Sequence, residues 1–444
     1  MPCPFVFYFH PHKLTILSYK GKHFLVYLWL QTDDSHFMRP VIIFAFFVLF
    51  MLAMDLYALR GIQQLFSPGR NGNLLFYYIY WSTSLLMFVA LIFAGSRFQQ
   101  LRDPSRFFGI MLIMGIFLML YIPKLFFNLT QLLGDLSVFI TSLFRTSPGS
   151  LKLWFLIPGA VVALLIFVSF GMGMVRGRTH VKVFEESIHI PSLPEEFKGI
   201  RIVQISDIHL AGFYNHPAYI RRVVDMVNRL EPDLICFTGD MVHNFSEEVD
   251  PFVNILNQLE APLGKYAILG NHDCGAYFNW KSMEEEAANL ERVKSQIRAS
   301  GFDLLLNENR TISLNGSSLS IIGVENWGKP PFPQLGDLEH ALRGVNPDHV
   351  KILLSHDPSH WDLMVKDKQD IALTLSGHTH GMQFGIEIGD FRWSPSRWTY
   401  KHWAGHYMEN GQHLYVNRGL GYTGFPGRVG IRPEITLLTL QKED

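Results

Sequence analysis

Ile202-Val203-Gln204-Ile205-Ser206-Asp207-Ile208-His209 carries an apolar, mostly β-branched run into an Asp-x-His pair, and the pattern recurs down the second half of the chain. Residues 234–237 lead into Gly239-Asp240, 266–269 into Gly270-Asn271-His272-Asp273, 352–354 into Ser355-His356, and 371–375 into Gly377-His378-Thr379-His380. Short apolar runs like these read as buried strands, which places each polar cluster where a parallel-type strand ends and a loop begins. Loops at one edge of a sheet converge on a single point.

The residue types gathered there suit a pair of metal ions. In an extended chain residues i and i+2 point the same way, so Asp207 and His209 can face one ion while His378 and His380 face two ions side by side. Asp240 is the natural bridge, because one carboxylate can offer an oxygen to each of two cations. Gly239 and Gly270 allow tight turns close to the ions. His272 must point differently from Asn271, which frees it as a general acid, and Asp273 is placed to orient its ring or stabilise its protonated form. Any one cluster alone is weak, since Gly-Asp is common in turns and a solitary histidine is more often a packing or surface residue. Their joint order is what points to metal.

In that order the clusters resemble those of the calcineurin-like metallophosphoesterases, from about Thr179 to the C-terminus. The resemblance implies one metal held by Asp207, His209, Asp240 and His380, a second held by Asp240, Asn271, His356 and His378, and His272 as proton donor. It also implies an α/β domain of four layers, α/β/β/α, with two mixed sheets and the metals at the strand ends. Asn417-Arg418-Gly419-Leu420-Gly421 and Arg432-Pro433-Glu434-Ile435 are similar to the ending of the membrane-tethered members, a subgroup that includes a UDP-2,3-diacylglucosamine pyrophosphatase of lipid A synthesis. His243 stands three residues after Asp240, where the related purple acid phosphatases carry a metal-binding Tyr; it is expected behind the ligands or at the surface.

The chemistry follows from charge. Phosphate esters resist attack because their anionic oxygens repel a nucleophile, and two divalent ions about 3.5–4 Å apart neutralise them and lower the pKa of an attacking water. His272 would protonate the leaving oxygen, and Asn271 would offer an amide hydrogen to a phosphate oxygen while its carbonyl binds metal. Imidazole, carboxylate and amide oxygen without thiolate favour Mn, Fe or Zn over Ca or Mg.

The first 175 residues are of another kind. Runs at 40–59, 74–95, 107–127 and 153–174 each approach the ~20 apolar residues that cross a bilayer, which predicts a four-helix transmembrane region. Asp55 and Lys124 are ionisable residues within these runs, and a structural role near the interface is expected for Asp55. Residues 128–144 read either as an interfacial helix or as a continuation of the third span. Residues 24–30 are too short to span, and Gln-Thr-Asp-Asp follows them instead of a small-residue cleavage site. The expectation is an extension over 1–37 that packs poorly, a true start at Met38-Arg39-Pro40, a transmembrane region over 38–178 and a catalytic domain over 179–444.

Basic residues set the orientation. Arg39, Arg97, Arg102, Arg106, Arg176, Arg178 and Lys182 flank the spans on one side; Arg60, Arg70, Arg145 and Lys152 flank them on the other. The positive-inside rule then puts both termini and the catalytic domain in the cytoplasm of a multi-pass cell-membrane protein. The 3 cysteines suggest no disulfide framework and fit a reducing compartment, and a formal net charge of −1 argues against a nucleic-acid partner.

Beyond Thr179, residues 180–189 alternate as a strand, and 217–230, 247–259, 282–300 and 335–343 read as amphipathic helices. Two antiparallel pairs are expected, 311–314 with 318–322 and 414–417 with 435–440. Phe384, Phe391, Trp393, Trp398, Tyr400, Trp403 and Tyr407, interleaved with Arg392, Arg397, Lys401, Arg418 and Arg428, form either a membrane-interface surface or a packed loop. The reading as a whole is a membrane-anchored hydrolase whose partners are membrane lipids and a phosphorylated, lipid-linked substrate such as UDP-2,3-diacylglucosamine. A membrane sensor or regulatory module, and a phosphodiesterase acting on a soluble nucleotide, are the alternatives.

Overall fold

The computed structural model describes residues 17–19, 22–24, 35–66, 74–98, 102–144, 151–330, 332–389 and 391–442. The chain divides into a unit over residues 1–59 and a unit over residues 60–444. The first holds a short antiparallel pair, Leu17–Tyr19 with Lys22–Phe24, and most of helix α1 (Ser35–Phe66). Apart from that pair and the start of α1, the expectation for residues 1–37 lies outside the described residues.

The second unit begins with the other apolar helices, α2 (Leu74–Phe98), α3 (Pro104–Leu143) and α4 (Leu153–Val175). Among the described residues four helices, α1 included, are long and apolar enough to cross a membrane. Asp103 caps α3 by accepting the Ser105 N–H at 3.0 Å, and Pro104 takes the first position, where a missing N–H costs nothing. Residues 128–143 continue α3, so the third span is extended and not followed by a separate interfacial helix. At 40 residues α3 is about 60 Å long, twice the hydrocarbon core of a bilayer, so part of it serves something other than spanning. Its close partner is α4: a Cβ at Gly159 would meet the Thr130 Cβ at 2.8 Å, so the helices approach to a distance that only a small residue permits. Lys124 lies 4.5 Å from the Tyr121 ring centroid, and Asp55 is buried.

The domain that follows has two six-stranded mixed sheets. In the first the order is Lys182–Ile190, Glu434–Lys442, Arg201–Ile205, Leu234–Phe237, Lys265–Ala267 and Asp303–Leu304; only the pairing of Glu434–Lys442 with Arg201–Ile205 is antiparallel. In the second it is Gly405–Glu409, Gln412–Val416, Leu373–Ser376, Val350–Leu354, Ser317–Gly323 and Glu308–Leu314, parallel in the middle and antiparallel at both edges. The expected pair 414–417 with 435–440 does not form. Residues 412–416 and 434–442 lie in different sheets, the first between Gly405–Glu409 and Leu373–Ser376 and the second between Lys182–Ile190 and Arg201–Ile205, whereas 308–314 and 317–323 pair as expected.

Strand alternation builds the layers. Ile202, Leu234, Cys236, Ile352, Leu354 and Tyr415 face the space between the sheets. Their neighbours Val203, Ile205, Ile235 and Phe237 face outward, onto Ile220, Val224 and Val227 of the helix Pro217–Asn228 and Val293 and Ile297 of Met283–Ala299. On the far side Leu353, Leu414 and Val416 pack with Trp361 and Ala341. The result is α/β/β/α. Of the two other predicted helices, the one at 335–343 shrinks to Leu338–Ala341 and that at 247–259 to Val253–Leu256 with a short 3₁₀ turn before it. Met111 of α3 belongs to the same buried cluster as Ile208, Leu210 and Phe213, so the start of this long helix is part of the catalytic domain's own core.

Candidate metal centre

The strands Arg201–Ile205, Leu234–Phe237, Lys265–Ala267, Val350–Leu354 and Leu373–Ser376 all deliver their polar loops to one place. Three overlapping groups of ligand atoms lie there, each within 4.8 Å: Asp207, His209 and His380; His209, Asp240 and His272; and Asp240, His356 and His378. Asp240 is shared by two of them, beside His209 at 3.6 Å and His356 at 3.2 Å. Asn271 joins the last group, its Oδ1 2.8 Å from His378 Nδ1 and 3.1 Å from His356 Nε2. His378 and His380 thus face different groups.

The backbone reaches this arrangement in an unforeseen way. Asp207, His209, Asp240, His378 and His380 all sit in the left-handed region, at φ 50, 49, 60, 71 and 49°. An extended chain therefore does not aim Asp207 and His209. The strand ends at Ile205 and the chain turns sharply, at a cost of about 1–3 kcal/mol per residue that the surrounding hydrogen bonds must offset. Gly239, at φ 95°, is needed both for its turn and for space, since a Cβ there would meet the Gly270 N at 2.6 Å and His356 Nδ1 at 2.9 Å.

The Asp273 carboxylate supplies much of that support. It accepts the backbone N–H groups of Asp240, Met241, Val242 and Gly270 at 2.8 to 3.1 Å, tying the loop after Leu234–Phe237 to its own. These four donors fill the carboxylate, so the expected role of Asp273 beside the His272 ring is corrected. The His272 ring is held instead by the His243 carbonyl, 2.8 Å from Nδ1; a carbonyl only accepts, so Nδ1 carries the hydrogen and Nε2 is turned to the site. Likewise one Asn271 amide hydrogen goes to the Tyr277 hydroxyl at 2.7 Å.

The donor set fits cations. His209 Nε2 and His380 Nε2 stand 3.1 Å apart, as do His356 Nε2 and His378 Nδ1 at 3.2 Å, a spacing that suits neighbouring ligands about 2.1 Å from a common ion. His356 Nδ1 donates to the Thr238 carbonyl at 2.7 Å, which leaves the Nε2 lone pair aimed inward. Burial holds His209 and His380 well below the usual imidazole range, helped by the His243 charge for the first and Arg428 for the second, and it brings His378 to about 4. Neutral rings are what metal binding requires. Burial works against charge on His356 too, but the Asp240 carboxylate outweighs it and raises that ring to about 10. Burial and the charge on Asp240 push Asp207 up to about 7, whereas the surrounding imidazoles keep Asp240 well below the usual carboxylate range despite its burial.

Several supporting residues have roles that no local sequence pattern indicates. Glu248, fully buried, accepts the backbone N–H groups of Ala211, His243, Asn244 and Phe245 and so clamps the loops after His209 and Asp240 together. The Tyr400 hydroxyl lies 2.7 Å from His378 Nε2, and an Arg428 guanidinium nitrogen lies 3.2 Å from His380 Nδ1. His243 is buried, not at the surface: its ring packs against His209 at 4.6 Å between centroids, with Nε2 3.1 Å from the Tyr422 carbonyl.

Known proteins match both halves of the chain. Residues 200–382 match the calcineurin-like phosphoesterase family, and residues 38–178 match the probable calcineurin-like phosphoesterase transmembrane domain. The uncharacterized metallophosphoesterase YkuE of Bacillus subtilis is 34% identical over 268 residues, 59% of this chain and 86% of the relative. A transmembrane protein with metallophosphoesterase domain from Danio rerio is 30% identical over 290 residues, 64% of this chain and 62% of the relative. The UDP-2,3-diacylglucosamine pyrophosphatase LpxG of Chlamydia trachomatis is 28% identical over 287 residues, 52% of this chain and 81% of the relative. With ligand-type side chains at the strand ends and four apolar helices before them, the chain belongs to the calcineurin-like metallophosphoesterases and is a membrane-associated, metal-dependent phosphoester hydrolase.

Proposed function

We propose that this protein hydrolyses a phosphoester or pyrophosphate bond in a lipid-linked substrate such as UDP-2,3-diacylglucosamine, with its catalytic domain on the cytoplasmic side. The observation that carries the reading is the position of Asp240 between two histidine groups in a domain whose core includes a membrane helix. One ion would be held by Asp207, His209, Asp240 and His380 and a second by Asp240, Asn271, His356 and His378; Mn, Fe or Zn suits these donors. Ions held there would neutralise the phosphate oxygens and lower the pKa of the attacking water.

The chain's own residues do the rest. His272, in its cationic form, would donate the Nε2 proton to the leaving oxygen and be left neutral, while Nδ1–H on the His243 carbonyl fixes the ring. Tyr400 and Thr238 fix the rings of His378 and His356. Sequence relationship to the Chlamydia pyrophosphatase and the apolar helices favour a substrate presented in the same membrane. Arg97, Arg102, Arg106, Arg176 and Arg178, basic residues flanking the spans, favour the cytoplasmic side.

The test is hydrolysis by the detergent-purified, Mn-loaded protein across UDP-2,3-diacylglucosamine, other lipid-linked pyrophosphates, phospholipids and soluble nucleotides. Preference for a lipid-linked substrate is expected. Activity confined to nucleotides would displace this reading in favour of a membrane-associated phosphodiesterase acting on soluble nucleotides.

A further inference from the structure

Residues Ile386–Ile388 and Phe391–Trp393 form a two-stranded antiparallel hairpin whose amphipathicity is inverted. Ile386 pairs with Trp393 and Ile388 with Phe391, so these side chains share a face, and Glu387 and Arg392 share the other. The charged face turns towards the domain: Glu387 accepts from the buried Arg418 at 2.9 Å, and Arg392, itself exposed, donates to the Ala404 carbonyl at 3.3 Å. The apolar face turns outward, with Ile388 73% and Phe391 61% exposed and Trp398 nearby in the chain at 76%. A hairpin this short cannot stabilise itself in water, and an outward apolar face of this kind marks a surface made for an apolar neighbour.

Immediately before the hairpin lies an open, mostly apolar cavity of about 420 Å³, lined by Met382, Phe384, Pro395 and Phe425 with the polar Thr379, Gln383 and Thr423, and bordered by His380 of the metal centre. Its aromatic wall continues into the membrane region. Phe170 of α4 packs on Phe384 and Phe425 with ring centroids 5.1 and 5.3 Å apart. Phe170 is five residues from the end of α4, so the cavity stands about 8 Å along the helix axis from the end of a membrane-spanning segment. Phe170, Phe384 and Phe425 therefore form an aromatic contact between the C-terminal end of α4 and a depression that His380 also lines.

We propose that this cavity takes an acyl chain of the phosphorylated substrate, entering from the bilayer over the outward apolar face of the hairpin at 386–393. The inference rests on the phosphoesterase reading above and adds to it the route by which a lipid reaches the metals. Of the aromatic and basic residues after His380, Phe391 and Trp398 join Ile388 as the surface that contacts lipid, whereas Trp403, Arg418 and Arg428 are packed inside the domain.

The test uses the full chain in detergent micelles, loaded with Mn, and p-nitrophenyl alkyl phosphates with ethyl, octyl and dodecyl chains. Thr423→Trp narrows the cavity, and Ile388→Glu with Phe391→Glu charges the hairpin at exposed positions where folding is little affected. For each ester the ratio of wild-type to variant kcat/KM removes differences in partition between esters. That ratio is expected to grow with chain length, by about tenfold from ethyl to dodecyl, as buried methylenes lose their site. If Thr423→Trp fails to fold, the hairpin variant decides. Ratios independent of chain length would overturn the cavity assignment alone, whereas a wild-type protein inactive on every ester and on lipid-linked pyrophosphates would overturn the proposed function and this inference with it.

Discussion

Phe107, one turn into α3, lies against His243 with ring centroids 4.7 Å apart, and His243 lies against the metal-centre residue His209 at 4.6 Å. Two ring contacts therefore separate a membrane helix from the site. On the same side Arg102 pairs with Glu285 and stands 5.0 Å from the centre of the Trp280 ring. Helix α3 is thus a structural member of the catalytic domain as well as an apolar helix of membrane-spanning length.

Met111→Ala, a change within α3, should accordingly destabilise the catalytic domain. The side chain is buried in the cluster that includes Ile208 and Phe213, so its truncation should cost about 2–5 kcal/mol. Thermal unfolding of the detergent-solubilised protein measures this; an unchanged unfolding temperature would mean that the domain stands without α3.

Asp273→Asn should lower both stability and metal content although Asp273 is outside the three ligand groups. An amide presents hydrogens to backbone donors that now point at oxygens, leaving one or more of four buried N–H groups unpaired at about 1–3 kcal/mol each. Chemical denaturation with metal analysis checks it, and wild-type values for both would remove the loop-tying role.

His272→Ala should keep bound metal yet lose rate most on poor leaving groups, by about 10²–10⁴-fold, because an acidic phenol departs without a proton. Rates on a series of aryl phosphodiesters decide the point. Equal losses along the series would assign His272 to positioning.

Asp240→Asn should strip metal more completely than His378→Ala, since Asp240 adjoins both histidine groups and His378 only one. Metal per chain, measured after dialysis by atomic emission, should fall towards zero in the first variant and by about half in the second. Equal content in the two would end the bridging assignment.

His360 gives the pH dependence. Burial lowers its ring to about 4; it stacks on Trp327 and its Nδ1 lies 2.8 Å from the Ser355 hydroxyl. A folded-state pKa depressed below the ordinary ~6.5 means that the fold favours the neutral ring, so this stability is present above pH 6.5 and lost as pH falls towards 4, up to about 3 kcal/mol. His360→Gln should therefore flatten the fall in unfolding temperature between pH 7 and pH 4.5. An identical slope in the variant would place the acid sensitivity elsewhere.

What the sequence determined by itself was local. Apolar runs of span length, β-branched runs of strand length and the ligand-type residues after each strand are properties of neighbours in the chain, and the residues singled out there, Asp207, His209, Asp240, Asn271, His272, His356, His378 and His380, are brought together in space. What only the tertiary structure decided was every polar and aromatic contact made across the fold. Asp273 and Glu248 read as ordinary acids until the backbone N–H groups around them are seen, and the left-handed turns at five of the metal-centre residues exist because those bonds hold them. Nothing in the order of residues 128–143 separates an interfacial helix from a longer span, nor could strand pattern alone assign 412–416 and 434–442 to different sheets. Local periodicity records which face of an element is apolar; which distant element covers that face is settled by packing, and here packing set a membrane helix against the core of the catalytic domain.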